Sequence, residues 1–252
     1  MITVKNLTKI YSPEITALDN ISFEIPKGCI CGYIGTNGAG KSTTVKILTG
    51  ILDFDKGDAA INGLDIRKEN FEVKKIVGYV PETAMMFNSL TAIEYLQFIG
   101  KVRNLSDDSL NRRIQNFAEL FEFSEFLSES IGALSKGNKQ KVLIASALLH
   151  NPEVIFLDEP LNGLDANSIF IFQDLLKYLI SADKTILYCS HLLNTVEQVS
   201  SKIILLDKGK IVLDTETSLL KQTENYKGLE ELFRNLNPEQ STKNFPYESL
   251  FV

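Results

Sequence analysis

Cysteine is scarce: three residues in 252, an odd number that cannot close a disulfide framework. Cys29 and Cys31 lie in one apolar run and Cys189 in another. A C-x-C pair with no second Cys or His pair is a poor zinc site, so all three read as buried packing residues. Long apolar runs are also missing. The longest candidates, such as Val142–Leu149, stop at His150–Asn151–Pro152, short of the about 18–20 residues a bilayer-spanning helix needs, and no membrane span is expected. The start, Met1–Asn6, has no basic segment followed by an apolar core and a small-residue cleavage site; no export signal is expected, and the cytosol is the default compartment. A basic excess is absent as well. The net charge of −6 argues against broad non-specific nucleic-acid binding, and no nucleic-acid partner is expected. With 44% hydrophobic and 23% charged residues, disordered, collagen-like and coiled-coil classes are excluded, and the length suits one large or two-lobed domain. No internal repeat or low-complexity segment stands out.

Short β-compatible runs open the chain at Ile2–Leu7, Ile21–Ile25 and Ala59–Ile61, bounded by the turn signals Pro26–Lys27–Gly28 and Asn62–Gly63. Cys29–Ile34, Val154–Leu157 and Thr185–Cys189 differ from them in being almost wholly apolar, which suits strands buried on both faces of a parallel sheet. Each is followed by polar or charged residues at its C-terminal end, the edge where open α/β sheets bind ligands. From about Thr83 to His150 the pattern turns helical. Thr91-x-x-Glu94 is a capping-box signature before Ala92–Gly100, and Leu110, Ile114, Phe117 and Phe121 recur at helical spacing after Ser106–Asp107. A third helix is expected from Ser135 through Val142, Leu143 and Leu148, ending before Asn151–Pro152. Lys202–Leu206, Asp207–Lys208–Gly209 and Lys210–Leu213 read as strand, turn and strand, and Leu229–Leu236 as a short amphipathic helix. The last dozen or so residues lack a pattern.

Gly35-Thr36-Asn37-Gly38-Ala39-Gly40-Lys41-Ser42 fits G-x-x-x-x-G-K-[ST], and it stands after an apolar strand and before a plausible helix, Thr43–Thr49, closed by Gly50. Glycines let backbone N–H groups turn inward around phosphate oxygens, and the helix N-terminus adds positive potential. Lys41 is expected to reach the β- and γ-phosphates and Ser42 to hold Mg²⁺. No G-x-G-x-x-G can be read here, which disfavours a dinucleotide fingerprint. Val154-Ile155-Phe156-Leu157 delivers two adjacent carboxylates, Asp158 and Glu159, to the sheet's C-terminal edge. Asp158 is expected to hold Mg²⁺ through water, and Glu159 to orient or deprotonate the attacking water. The fold expected is α/β: a P-loop NTPase core with a mostly parallel sheet, an antiparallel β-subdomain and an inserted helical subdomain.

Together these motifs resemble the nucleotide-binding subunits of ATP-binding-cassette (ABC) transporters, over about residues 1–215, with a helical subdomain at about 83–150 and a C-terminal helix and tail at 216–252. Leu134-Ser135-Lys136-Gly137-Asn138-Lys139-Gln140 matches the family's L-S-G-G-Q signature, with Lys136 for the first paired glycine and Asn138 for the glutamine. The resemblance implies that Ser135, Lys136, Gly137 and Asn138 complete the ATP pocket of an opposite subunit in a head-to-tail homodimer or pseudo-homodimer. It implies adenine stacking by Tyr11, further ATP contacts from Ala17, Asn37, Gly38, Ala39, Gly40, Lys41, Ser42 and Thr43, and a γ-phosphate contact from His191. Leu161-Asn162-Gly163-Leu164-Asp165 resembles the D-loop, whose Asp165 is expected at the dimer contact. His150 has no evident role. Glu82, after Val77–Pro81, replaces the Q-loop glutamine; its carboxylate can still accept Mg²⁺ or water but adds charge beside Asp158 and Glu159.

The cofactors implied are ATP and Mg²⁺, and catalysis is assigned to Glu159, His191 and Lys41. Glu82, Lys136 and the Leu229–Phe233 stretch look most like exporter-type (ABC-2-like, multidrug or antibiotic efflux) members, implying a separate transmembrane permease chain and a peripheral place on the cytoplasmic face of the membrane. Met85-Met86-Phe87 either lines the groove for the permease's coupling helix or fills the helical lobe's core. A soluble ABC ATPase of iron–sulfur cluster assembly, or of another non-transport assembly process, is the alternative. Ribosome-acting and repair types need more chain than 252 residues, and a non-hydrolysing regulator would lack a catalytic residue, whereas Glu159 and His191 are present.

Overall fold

The near-continuous apolar runs lie side by side in one sheet. In the computed structural model, which describes residues 1–83, 85–224 and 226–236, β1 (Ile2–Ser12) and β2 (Ile15–Ile25) form a hairpin and β3 (Ile30–Gly35) leads into α1 (Lys41–Leu48). Then come β4 (Lys56–Ile61), β5 (Leu64–Asp65), α2 (Asn70–Ile76) and β6 (Val77–Val80), followed by α3 (Ala92–Val102), α4 (Asp107–Leu120) and α5 (Lys136–Leu148). The rest alternates: β7 (Val154–Asp158), α6 (Ala166–Ser181), β8 (Thr185–Cys189), α7 (Leu193–Val199), β9 (Lys202–Asp207), β10 (Lys210–Glu216), α8 (Thr217–Gln222) and α9 (Leu229–Leu236). One sheet runs β10-β9-β3-β8-β7-β6, parallel except for the β9–β10 pair. The other, β2-β1-β4-β5, is antiparallel.

Period-two alternation explains the two cores. Cys31, Tyr33, Val154, Phe156, Leu187, Cys189, Ile204 and Leu206 point into the layer shared with the antiparallel sheet, while Ile30, Ile34, Ile155, Leu157, Ile186, Tyr188, Ile203 and Leu205 point toward the helices. Both faces are dry, so the strands β3, β7 and β8 read as apolar throughout. The three cysteines are buried and free, as expected of packing residues.

Side-chain caps set three of the helix starts, those of α3, α5 and α6. Thr91 Oγ1 accepts from Glu94 N at 3.3 Å and Glu94 Oε2 accepts from Thr91 N at 2.8 Å, a reciprocal cap of the kind worth about 1 kcal/mol. Ser135 caps α5 by accepting from Asn138 N. Several elements differ from the sequence expectation. β1 and β2 run to eleven residues each, because register shifts along the hairpin absorb the polar positions that break the alternation. α1 begins at Lys41, two residues before the expected Thr43. β5, β6, α2, α6, α7 and α8 had no expected counterpart. In α6 the signal was there: Ser168, Phe172, Leu176 and Leu179 are its buried stripe, and Asp165 is its N-cap. Of the expected C-terminal segment, residues 237–252 lie outside the described residues.

Candidate functional site

The site is built at the C-terminal ends of β3, β7 and β8. β3 ends at Gly35, and residues 36–40 turn into α1 through Gly40, whose φ is 111°. A Cβ at Gly40 would sit 2.6 Å from the Ala17 carbonyl oxygen, so only glycine closes this turn. That contact also places Ala17, half-buried, against the loop, and the neighbouring Gly209 N donates to Ala39 O at 3.0 Å. Asn37 and Gly38 are exposed at the tip. The Lys41 ammonium donates to Gly35 O at 2.8 Å and Thr36 O at 3.1 Å. It therefore lies across the concave side of its own loop, above the unpaired amides at the start of α1.

Asp158 and Ser42 meet beside the lysine. Burial pushes the Asp158 carboxyl above its ordinary value; the Ser42 hydroxyl, which hydrogen-bonds it, pulls the other way, and the charges of Glu82 and Glu159 push it up again. A buried carboxylate with a raised value is a site that a cation would stabilise. The donors here are hard oxygens, which suit Mg²⁺ and not the softer metals. Among the described residues no cluster of three or more His, Cys, Asp or Glu could hold an ion. Mg²⁺ commonly takes one or two protein oxygens and completes its shell with phosphate and water, so the residues present fit it. Glu82 is exposed, just past β6.

Glu159 is held on all sides. Its φ is 50°, an uncommon conformation for a non-glycine residue, maintained here because its N–H donates to Cys189 O at 2.9 Å. Ser190 Oγ donates to Glu159 Oε2 and His191 N to Oε1, each at 2.9 Å, while His191 Nδ1 lies 2.9 Å from Oε2. A carboxylate cannot donate, so Nδ1 carries the proton. Nε2 is the second nitrogen of a ring that is 64% exposed, and it donates to an anion when the ring carries both protons. The arrangement is a fixed carboxylate with an oriented imidazole, suited to taking a proton from water and touching an anion. Ser190, absent from the expected site residues, is found only through this contact.

The signature residues stand apart from the phosphate loop and pack on the segment after Glu159. Ser135 caps α5, the stem of Lys136 lies across Gly163, and Gly137 abuts the Gly163 carbonyl. Gln140 Nε2 donates to Pro160 O at 2.8 Å, and the largely buried Lys141 reaches Asp165 at 3.5 Å. Asp165 accepts from Ser168 N and Ser168 Oγ, which with Lys141 bring its carboxyl down to about 2. The Asp165 carboxylate is thus engaged within its own chain. Gln140 and Lys141 were missed because nothing in the sequence marks which residues of the second turn of α5 face inward. Tyr11 is the penultimate residue of β1. It is 54% exposed, with its hydroxyl 3.4 Å from Thr43 Oγ1 at the start of α1 and the Lys9 ammonium over its ring, 5.6 Å from the centroid.

Met85, Met86 and Phe87 separate. Met85 is 98% exposed and lines a groove of about 690 Å³ with Ile51, Phe71, Val102 and Arg103. Met86 packs on the core, and Phe87 stacks edge-on against Phe98 at 5.7 Å. His150 faces that groove too, with Nε2 2.9 Å from Val77 O; burial, with Arg103 next, pushes it down to about 4.

A family model described as ABC transporter matches residues 18–162. The ABC transporter ATP-binding protein NatA of Bacillus subtilis is 31% identical over 238 residues, 92% of this chain and 96% of that protein. The linearmycin resistance ATP-binding protein LnrL of the same organism is 33% identical over 220 residues, 87% of this chain and 70% of LnrL. A solved ATP-binding subunit of an ABC transporter superposes with a TM-score of 0.88 at 29% identity, covering 94% of this chain and 99% of that one. The ATP-binding cassette MJ0796, a dimer in a post-hydrolysis state with ADP and Pi, superposes with a TM-score of 0.79 at 27% identity, covering 86% and 99%.

Proposed function

This chain belongs to the ABC transporter family as an ATP-binding, ATP-hydrolysing subunit, and from that premise we propose that it powers an exporter by closing in pairs on a separate membrane permease. The observation that carries the catalytic part is the Glu159–His191 contact at 2.9 Å, set at the strand end next to Lys41, Ser42 and Asp158. In this reading Lys41 exchanges the Gly35 and Thr36 carbonyls for the β- and γ-phosphate oxygens. The amides of Asn37 to Thr43 surround the same phosphates, Tyr11 stacks on adenine and Ala17 borders the nucleotide. Ser42 and Asp158 would hold Mg²⁺, with Glu82 near its outer shell; the ion supplies charge neutralisation at the phosphates. Glu159 takes the proton of the attacking water while His191 Nε2 meets the γ-phosphate.

Ser135, Lys136, Gly137 and Asn138 are assigned to the nucleotide of a partner copy. Their packing on Gly163 ties them to the loop that ends at Asp165, so the signature and the D-loop would move as one dimer surface. The MJ0796 dimer supports pairing of this kind. ATP that binds the closed pair better than the open one drives closure, and hydrolysis reverses it. The ATPase unit we assign spans about 1–215, with the helical lobe at about 83–150 and the C-terminal helix and tail at 216–252.

For the permease we assign the groove beside α2 and α3. Ile51, Phe71, Met85 and Val102 are each at least 60% exposed around it, an apolar lining suited to a short amphipathic helix. Among the described residues no helix is long and apolar enough to cross a membrane; in this reading cargo passes through a second chain, and this subunit works at the cytoplasmic face. That the similar LnrL is a linearmycin resistance protein supports export. The test is affinity capture of Glu159→Gln with ATP from gently solubilised membranes, followed by mass spectrometry. A polytopic membrane protein is expected, and it should be lost with Phe71→Ser/Val102→Glu, which leaves ATP affinity intact. A soluble scaffold alone would overturn the permease reading and favour an assembly ATPase.

Glu82 gives a separate expectation. Its charge opposes phosphates when Mg²⁺ is absent and supports Mg²⁺ when present, so Glu82→Gln should narrow the ratio of ATP affinities with and without Mg²⁺ several-fold. An unchanged ratio in equilibrium binding removes Glu82 from the metal's surroundings.

A further inference from the structure

His191 is two residues from the start of α7, and α7 is too short to hold its own position. At seven residues, Leu193–Val199, it has no side-chain N-cap and no acidic residue in its first turn, and an isolated helix of that length is unstable in water. Its placement comes from its neighbours. On one side the fully buried Val196 lies against Gly32 of β3. On the other, Asn194 and Glu197, three residues apart and therefore on one face, meet the C-terminal segment. Tyr226 hydroxyl donates to Glu197 Oε1 at 3.0 Å, Leu229 N donates to Glu197 Oε2 at 2.9 Å, and Asn194 Nδ2 donates to Glu230 Oε1 at 3.1 Å. Leu229 is wholly buried, and Leu232 and Phe233 pack against the same core. All of these C-terminal partners lie outside the stretch matched by the family model, 18–162.

We propose that the contact of Tyr226, Leu229 and Glu230 with Glu197 and Asn194 is a brace that positions His191 against Glu159. Glu197 is the positioning residue at its centre. Its two carboxylate oxygens each take one donor from the segment that starts α9, so α7 cannot slide or tilt without breaking a charge-assisted hydrogen bond. The consequence is transmitted rigidly. His191 N and Nδ1 are both 2.9 Å from Glu159, and a shift of about 1 Å at the head of α7 would carry both beyond hydrogen-bond reach. With both displaced, Glu159 keeps the Ser190 hydroxyl but loses two of the three donors to its carboxylate, the His191 amide and the imidazole.

The proposal rests on the reading of Glu159 and His191 as the pair at the reacting water, but the brace itself can be read without nucleotide. The chain has two histidines, so ring-labelled full-length protein gives two sets of imidazole signals, assigned with His191→Ala. His150, hydrogen-bonded to Val77 on the edge strand β6, is the internal control. Glu197→Ala should shift and broaden the His191 ring signals and leave those of His150 in place. Tyr226→Phe should do so less, and Glu197→Gln, which keeps one acceptor oxygen, should restore part of the native position. In ATP turnover, Glu197→Ala should lower kcat by about ten- to a hundredfold with little change in KM, and this loss should vanish in a His191→Ala background. His191 signals that stay put in Glu197→Ala, or a displacement of both rings together, overturn the brace. If His191 moves while Glu159→Gln proves as active as the native chain, the brace stands and the reading of the catalytic pair falls.

Discussion

Glu159→Gln should lower ATP turnover by about 10²–10⁴-fold, the range for losing a general base, while ATP affinity stays within a few-fold of the native value. The amide cannot take the water's proton. It also brings an N–H₂ group to a place where Ser190 Oγ and His191 Nδ1 share one oxygen of the native carboxylate and His191 N takes the other, so either the His191 amide or the Ser190 and imidazole pair loses its acceptor. Binding is spared because Lys41, Ser42 and the loop amides are untouched. Single-turnover hydrolysis beside equilibrium ATP binding separates the two effects, and closed pairs should accumulate with ATP because the step that reopens them is blocked. A loss below about tenfold would remove Glu159 from the role of base.

Lys41→Ala fails earlier in the cycle. The ammonium lies over the loop on two carbonyls, Gly35 O and Thr36 O, both of which are half-exposed or at the loop's edge, so its removal costs the empty fold little. The phosphates lose two charge-assisted contacts, each worth about 1.5–3 kcal/mol, which corresponds to about 10²–10⁴-fold weaker ATP binding. Titration calorimetry with ATP measures that loss, and a thermal melt without nucleotide should be nearly unchanged. The two variants then dissociate binding from chemistry: Glu159→Gln binds and closes without turning over, and Lys41→Ala does neither. Native affinity in Lys41→Ala would place the phosphates elsewhere.

What the sequence determined by itself was whatever one short stretch specifies through its own backbone. The phosphate loop is such a case: glycines at fixed offsets, a lysine at the first helical position and an apolar strand before them leave one conformation with inward N–H groups. So are the caps at Thr91 and Ser135, whose partners are three residues away, and the doubly buried strands, whose unbroken apolar character reports two dry faces. Tertiary structure alone decided the rest. That Ile30 and Cys31 of β3 lie beside Ile186 and Leu187 of β8 cannot be read from either run, since any doubly buried strand fits either slot. The clamp on Glu159 needs the ends of β7 and β8 to meet, the cradle for Gly137 needs the loop at Gly163, and the groove around Phe71 and Met85 needs α2 to face α3. Tyr226 and Glu197, ordinary polar residues in sequence, acquire a role only because α9 folds back onto α7. Each of these joins groups separated by tens of residues or more, and their proximity is set by how the two cores pack together, a cooperative outcome that no local pattern encodes.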